Sequence, residues 1–269
     1  MAAFVPAFVL SQARLVARGA GPRSMWVVRT AAVLVTTLGS MCALPAAAAG
    51  DAPPAASAEE DGVVLNAAFL CVDTVYNSEL MAPYDILQHT YYRDPENYVR
   101  CFIVTPDGKP FVSFEGIRIT PDYSFDNCPD VDILVVPSTG TSMTDDLENE
   151  ALMLWLVRTV RTAAHVVSVC DGAFPLAATS VLDGRVATTF PSDRDKLEEM
   201  FPKVDVRRDV NFVVDGKFIT SVGGALSYEP ALYLVEKLYS KENARRVAKG
   251  LVLDWDLAEI PHFVVERDE

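Results

Sequence analysis

The chain has 269 residues, half of them apolar, which is enough for one large domain or two small ones with a sizeable core. Its charge is unevenly divided. Residues 1–49 hold four of the 23 basic residues and no acid, leaving 19 basic against 37 acidic residues, a net of −18, in the remainder. So acidic a body argues against a nucleic-acid partner, because phosphate contacts need clustered Lys and Arg, and it favours a soluble, self-repelling particle.

In chain order, "MWVVRTAAVLVTTLGSMCALPAAAAGDAPP" has a basic start, an apolar stretch from Ala31 to Leu44, and small residues at Ala47–Ala49. That order predicts an export signal over residues 1–49, cleaved near Gly50, with Met25 a better start than Met1. The apolar stretch falls short of the roughly 20 residues a membrane span needs, although an uncleaved anchor is the alternative. "LGSMC" is a poor lipoprotein box, since a methionine precedes Cys42. Residues 50–62 read as a disordered linker. The expected mature protein is periplasmic or secreted, with no membrane attachment after cleavage. An oxidising compartment permits disulfides. Cys71 and Cys101 nevertheless sit in apolar β-rich runs, where a buried free thiol is the commoner state. No CxxC or metal-spaced Cys/His cluster occurs, so neither a zinc site nor a cofactor is expected.

The body, 63–255, alternates strand-like and helical runs, with 256–269 read as a C-terminal tail. Strands are expected in "VVLNAAFLCV" (63–72), "YVRCFIVTP" (98–106), "DVDILVVPS" (130–138) and "HVVSVC" (165–170). Helices are expected over 79–92, 145–163 and 172–182, and one or two over 227–253. Residues 110–125 read as a hairpin, and 204–221 as short strands around the Asp215-Gly216 turn. Continuous apolar strands alternating with helices predict a single α/β domain, a doubly wound parallel sheet. Its active crevice would lie at the strand carboxyl ends.

Cys170 falls where a buried strand turns into a helix. That position exposes a side chain at the top of the sheet, points unpaired N–H groups at it, and is expected to lower the thiol pKa and make Cys170 the most reactive body cysteine. Gly172 would permit close backbone approach. The residues alone leave a second reading open, a small buried hydrophobe at a strand end.

"VSVCDGAFPLAATSVLDGRVATTFPSD" resembles the elbow segment of the ThiJ/PfpI family, in the class I glutamine-amidotransferase-like superfamily. It is nearest the branch with isonitrile hydratase and the N-terminal domains of AraC-type regulators, whose pattern is "VCTGA" followed by "LLDGRRATTHW". "AFLCVDTVYNSELMAPYDIL", "DVDILVVPSTG" and "DGKFITSVGGALSYEPALYLVE" resemble other family segments, so the likeness covers most of 63–240. It implies a flavodoxin-like fold, a small-molecule substrate or ligand, and a homodimer, since family members often dimerise. It also implies an elbow role for Cys170 and a carboxyl–sulfur hydrogen bond for Glu79. The residues alone read Glu79 as a solvated first-turn acid. Ser138, Thr139, Gly140 and Gly172 would line a substrate or anion pocket, and Asp171 replaces the family's usual threonine as a candidate second carboxylate.

Phe190 stands where many members have histidine, and His89, His165 and His262 are expected to be structural. Amidase or protease chemistry through a Cys–His pair is therefore disfavoured. The expected activity is hydratase- or lyase-type chemistry on a small electrophile, isonitrile- or glyoxal-like. The alternatives are a redox- or ligand-sensing thiol and an inactive scaffold. "STGTS" (138–142) also resembles the phosphate loop of flavodoxins, but it follows the wrong strand for FMN.

Overall fold

The computed structural model describes residues 62–267. The export signal and all but the last residue of the linker lie outside the described residues. Strand β1 (Val64–Leu70) leads into helix α1 (Asn77–Gln88), strand β2 (Tyr98–Thr105) and a small hairpin, β3 (Phe111–Val112) with β4 (Arg118–Ile119). Edge strand β5 (Tyr123–Ser124), central strand β6 (Ile133–Val136), helices α2 (Asp145–Glu148) and α3 (Glu150–Thr162), and strand β7 (His165–Val169) follow. After the elbow come α4 (Ala173–Ala178), β8 (Val186–Ala187), α5 (Arg194–Met200) and β9 (Asp205–Val206). The chain closes with β10 (Phe212–Asp215), β11 (Phe218–Ser221), α6 (Tyr228–Leu238), α7 (Lys241–Gly250) and β12 (His262–Val265).

Eight strands form one sheet in the order β12-β10-β11-β7-β6-β1-β2-β5. Its pairs are parallel except β10 with β11, which meet antiparallel through the Asp215-Gly216 turn. Side chains alternate across each strand. Ala67 and Phe69 of β1 pack into the layer of α1, α6 and α7, while Ala68 and Leu70 pack against α3, α4 and α5. Burial on both faces is why the strands read as unbroken apolar runs rather than alternating ones.

Two expectations change. The single helix over 145–163 is broken at Asn149, whose extended backbone (φ −76°, ψ 94°) cannot continue α2. Its side-chain oxygen instead accepts the Leu152 N–H at 3.1 Å and caps α3. The segment read as a tail contributes β12, which pairs parallel with β10, His262 opposite Phe212. Just beyond it, Arg267 joins Arg185 on the fully buried carboxylate of Asp215, an ion pair that fixes the end of the chain to the sheet.

The carboxyl ends of β1, β6, β7 and β11 meet on one side of the sheet, at Cys71–Thr74, Pro137–Ser138, Cys170 and Val222–Gly224 respectively.

Candidate active site

Cys170 follows β7 with a left-handed backbone, φ +55°, and its residue is 5 % exposed. Such a conformation costs a non-glycine residue roughly 1–3 kcal/mol, so the surroundings must hold it. Two glycines make room. A Cβ on Gly172 would lie 2.0 Å from the Val136 carbonyl oxygen, and one on Gly223 would lie 2.4 Å from the Cys170 Cβ. The sharp turn thus exists because β6 and the segment after β11 close in on it where neither offers a side chain. Thr189 secures it from a third side, its hydroxyl donating to the Cys170 carbonyl oxygen (3.0 Å) and to Asp171 Oδ1 (2.9 Å).

Glu79, in the first turn of α1, is only 4 % exposed. It is not a solvated acid. Ser138 Oγ donates to its Oε2, Gly224 N–H reaches Oε1 at 3.4 Å, and its carboxyl group lies beside the Cys170 side chain, near enough that each shifts the other's proton affinity. Ser138 also stands beside the sulfur and favours its thiolate form. A carboxyl group, a hydroxyl and a thiol from three different strand ends therefore converge. Burial raises the Glu79 carboxyl above its ordinary value, against the pull of hydrogen bonds from Ser138, Cys170 and Gly224. Burial likewise lifts Asp171 to about 6, with Asp193 and Glu79 adding their negative charge.

The expected low thiol pKa is overturned. Burial first, then the charges of Glu79 and Asp171, push Cys170 up, with the Ser138 hydrogen bond acting the other way. The helix-terminal field is outweighed because burial disfavours the thiolate and the Glu79 and Asp171 carboxylates add like charge. The raised thiol and the raised Glu79 carboxyl stand side by side, an arrangement in which one proton can pass between them. The most accessible body thiol is the half-buried Cys128, whose value rises only to about 11. Cys71 and Cys101 are buried, and all four cysteines are free.

Two of the residues expected to line a substrate or anion pocket have their N–H groups taken up within the protein. Gly140 donates its N–H to Thr74 O (3.0 Å) and Thr74 Oγ1 (3.1 Å). Thr139 donates its N–H to Ser142 Oγ at 2.8 Å and its hydroxyl to Asp146 Oδ2 at 2.5 Å. The "STGTS" loop satisfies itself and a buried acid seven residues on, and offers a phosphate nothing. Ser138 belongs to the Glu79–Cys170 cluster, and Gly172 serves packing. Phe190 is 40 % exposed. His89 hydrogen-bonds Asp85 O, His262 hydrogen-bonds Ile260 O and stacks on Phe212, and His165 opens β7 at the far end of the sheet. Among the described residues no group of metal-ligating side chains forms.

Sequence reasoning missed Tyr76 and Phe114. Their rings meet at a tilt with centroids 4.5 Å apart, and the Tyr76 hydroxyl is raised by burial and by the charges of Cys170, Glu79 and Asp171. Phe114 lies in the β3–β4 hairpin, and no local signal ties that excursion to an elbow 56 residues on.

Residues 66–237 match the model of the DJ-1/PfpI family. The chain belongs to that family. It is similar to isonitrile hydratase from Pseudomonas putida, 29 % identical over 201 residues covering 75 % of this chain and 82 % of the relative. Among solved structures, Drosophila melanogaster DJ-1beta superposes with a TM-score of 0.63 at 24 % identity, over 72 % of this chain and all of that one. An AraC family transcriptional regulator from Pseudomonas putida gives 0.60 at 20 % identity, over 70 % of this chain and 99 % of that one. The two structural likenesses carry the fold, the flavodoxin-like doubly wound sheet of this DJ-1/PfpI member.

Proposed function

We propose that this DJ-1/PfpI protein is an exported hydratase acting on a small electrophile, isonitrile- or glyoxal-like, through Cys170 and Glu79 without a histidine. The observation that carries the reading is the buried Glu79 carboxyl group beside Cys170, held by the Ser138 hydroxyl. With an isonitrile, Glu79 delivers the thiol proton to the terminal carbon as the sulfur bonds to it, giving a thioimidate. Water then adds to the C=N bond. Collapse of that adduct returns the electron pair to sulfur, and the proton taken up there restores the thiol and releases an N-formyl amine. The sum is one isonitrile plus one water to one formamide, with no oxidant or metal. Asp171, lifted to about 6, is a second acid for the water step. With a glyoxal the same two groups would add water at the aldehyde carbon.

The raised thiol speaks against an oxidant sensor, whose chemistry needs an accessible low-pKa thiolate. An inactive scaffold gains nothing from burying a carboxyl group on a sulfur, which costs stability at neutral pH. The isonitrile hydratase relative covers most of the chain and supports hydration. The test is formamide release from an isonitrile, followed by proton NMR, for wild type and Cys170→Ala. Turnover confined to wild type supports the reading, and absence of turnover across isonitriles and glyoxals overturns it. Export to the periplasm or beyond predicts a mature mass beginning near Gly50. A homodimer predicts twice the mature mass in light scattering.

A further inference from the structure

A cavity of about 360 Å³ opens between the loop that joins β5 to β6 and the second half of α3. Loop and helix lead there into the amino ends of β6 and β7, away from the carboxyl ends that carry Cys170. The volume is in the range of small-ligand sites, roughly 300–1,000 Å³. Its wall is held by Phe125 of the loop, which lies on Trp155 of α3 with ring centroids 4.6 Å apart and planes 8° from parallel. Loop and helix are fixed against each other by that stack, so the cavity is built before anything enters it.

Cys128 is half-buried in this wall, a free thiol whose S–H donates to the Pro129 carbonyl oxygen at 3.4 Å. Asp130 lines the cavity from the loop and Arg158 from α3, and among the described residues neither forms a salt bridge. Arg158 donates its Nε to the Leu154 carbonyl (3.3 Å), which leaves its terminal N–H groups for a guest. Thr159, 8 % exposed, lines the cavity too. Its carbonyl accepts from Ala163 and Thr162, but among the described residues its hydroxyl has no hydrogen-bond partner. A buried hydroxyl left so is costly, and a guest that supplies the partner removes the cost. A carboxylate can accept from Arg158 and Thr159, and an ammonium can donate to Asp130. Both charges on one small molecule are the mark of an α-amino acid.

We propose that this cavity is a modification site, in which Cys128 forms a mixed disulfide with a small disulfide built from an α-amino-acid thiol, such as cystine or glutathione disulfide. The guest sets its carboxylate on Arg158 and Thr159 and its ammonium on Asp130. Cys128 gives up its proton, and its thiolate attacks one sulfur of the guest. A new S–S bond forms, the guest's own S–S bond breaks, and the leaving thiolate takes up the proton. One thiol and one disulfide thus give one mixed disulfide and one thiol. The seated ammonium also assists the step. Burial, then the charge of Asp130, hold the free thiol up at about 11, and a cation beside Asp130 offsets that like charge. A disulfide without an ammonium group brings no such help. The site stands apart from Cys170 and does not depend on what the elbow cysteine turns over.

The test exposes the full-length protein near pH 8 to cystine, to glutathione disulfide, to the neutral hydroxyethyl disulfide and to dithiodipropionate, which is anionic and has no ammonium. Peptide mass spectrometry follows the Cys128 adduct, and each rate is divided by that of the same disulfide with mercaptoethanol. At least one amino-acid disulfide should lead both other compounds by about tenfold or more, the worth of one hydrogen bond to a charged group. Cystine leads if the guest is a free amino acid, glutathione disulfide if it is a peptide, and either result supports the site. Arg158→Gln should remove most of that lead while changing the hydroxyethyl disulfide rate by less than about threefold, as for an exposed charge. Asp130→Asn should also remove it, and should leave hydroxyethyl disulfide no slower. Hydroxyethyl disulfide as fast as both amino-acid disulfides, equal slowing of all four by Arg158→Gln, or no adduct on Cys128 overturns the proposal.

Discussion

Replacing Glu79 by glutamine separates its chemistry from its packing. The side chain keeps its size, so α1 and the Ser138 contact persist, because the serine hydroxyl can turn to accept from the new amide. One of the two carboxyl oxygens becomes a donor, so either Ser138 gives up donating and turns to accept, or the long 3.4 Å bond from Gly224 is lost. One net hydrogen bond of this kind is worth about 1 kcal/mol, or roughly 2–4 °C in Tm for a domain of this size. The pH dependence has a definite sign. A carboxyl raised in the folded protein favours folding only while protonated. That contribution is complete below the unfolded value of about 4.3 and is lost as pH rises through the folded value, which burial holds higher. Glutamine is neutral throughout. The Tm of the variant relative to wild type should therefore rise between pH 4 and pH 8, seen by calorimetry in matched buffers. Turnover should fall by about 10²–10⁴-fold, the worth of one positioned proton carrier, and the pH profile of Cys170 alkylation should move. A variant with wild-type turnover and an unmoved alkylation profile would refute the proton-sharing account even if its stability behaved as described.

Asp171→Asn should flatten a second pH dependence. Asp171 sits at about 6 in the folded state, so wild type loses on the order of 2 kcal/mol relative to the variant as pH climbs from about 4 to 7, measured as urea midpoints. Gly223→Ala should cost several kcal/mol or prevent folding, since its Cβ would overlap that of Cys170 and the residue sits at φ +77°; a Tm within a degree of wild type contradicts the elbow packing. Phe190→His should change stability by less than about 0.5 kcal/mol, as for other exposed positions, and should create no amidase activity, since a base must be oriented as well as present. Limiting iodoacetamide near pH 8 should label Cys128 no later than Cys170, because Cys128 is the more accessible thiol and the less raised; peptide mass spectrometry reads the order.

What the sequence reveals follows the range of the interactions. β1, β2, β6 and β7 announce themselves because burial on both faces forces continuous apolar runs, a local property. Cys170 is legible because a β-branched run followed by Asp-Gly-Ala is a strand meeting a helix. Glu79 is legible only through the family likeness, since nothing local distinguishes a buried first-turn acid from a solvated one. The partners that set its chemistry lie 59 and 145 residues away, at Ser138 and Gly224, and no periodicity encodes such pairings. The "STGTS" loop misleads for the same reason. Its donors suit a phosphate until Thr74 and Asp146, from other segments, satisfy them. The thiol is misjudged because the helix-terminal field is visible locally, whereas burial and neighbouring carboxylates are products of the fold. β12 escapes notice because its short run gains its partner only when β10 reverses direction.

The most direct test of the account is rapid-quench mass spectrometry of the wild-type protein with benzyl isocyanide. The account predicts a transient mass increase equal to the whole substrate, located on the peptide carrying Cys170, which decays at the rate N-benzylformamide appears and is absent in Cys170→Ala. Formamide production by Cys170→Ala at the wild-type rate, with no adduct on Cys170 in the wild type, would contradict it.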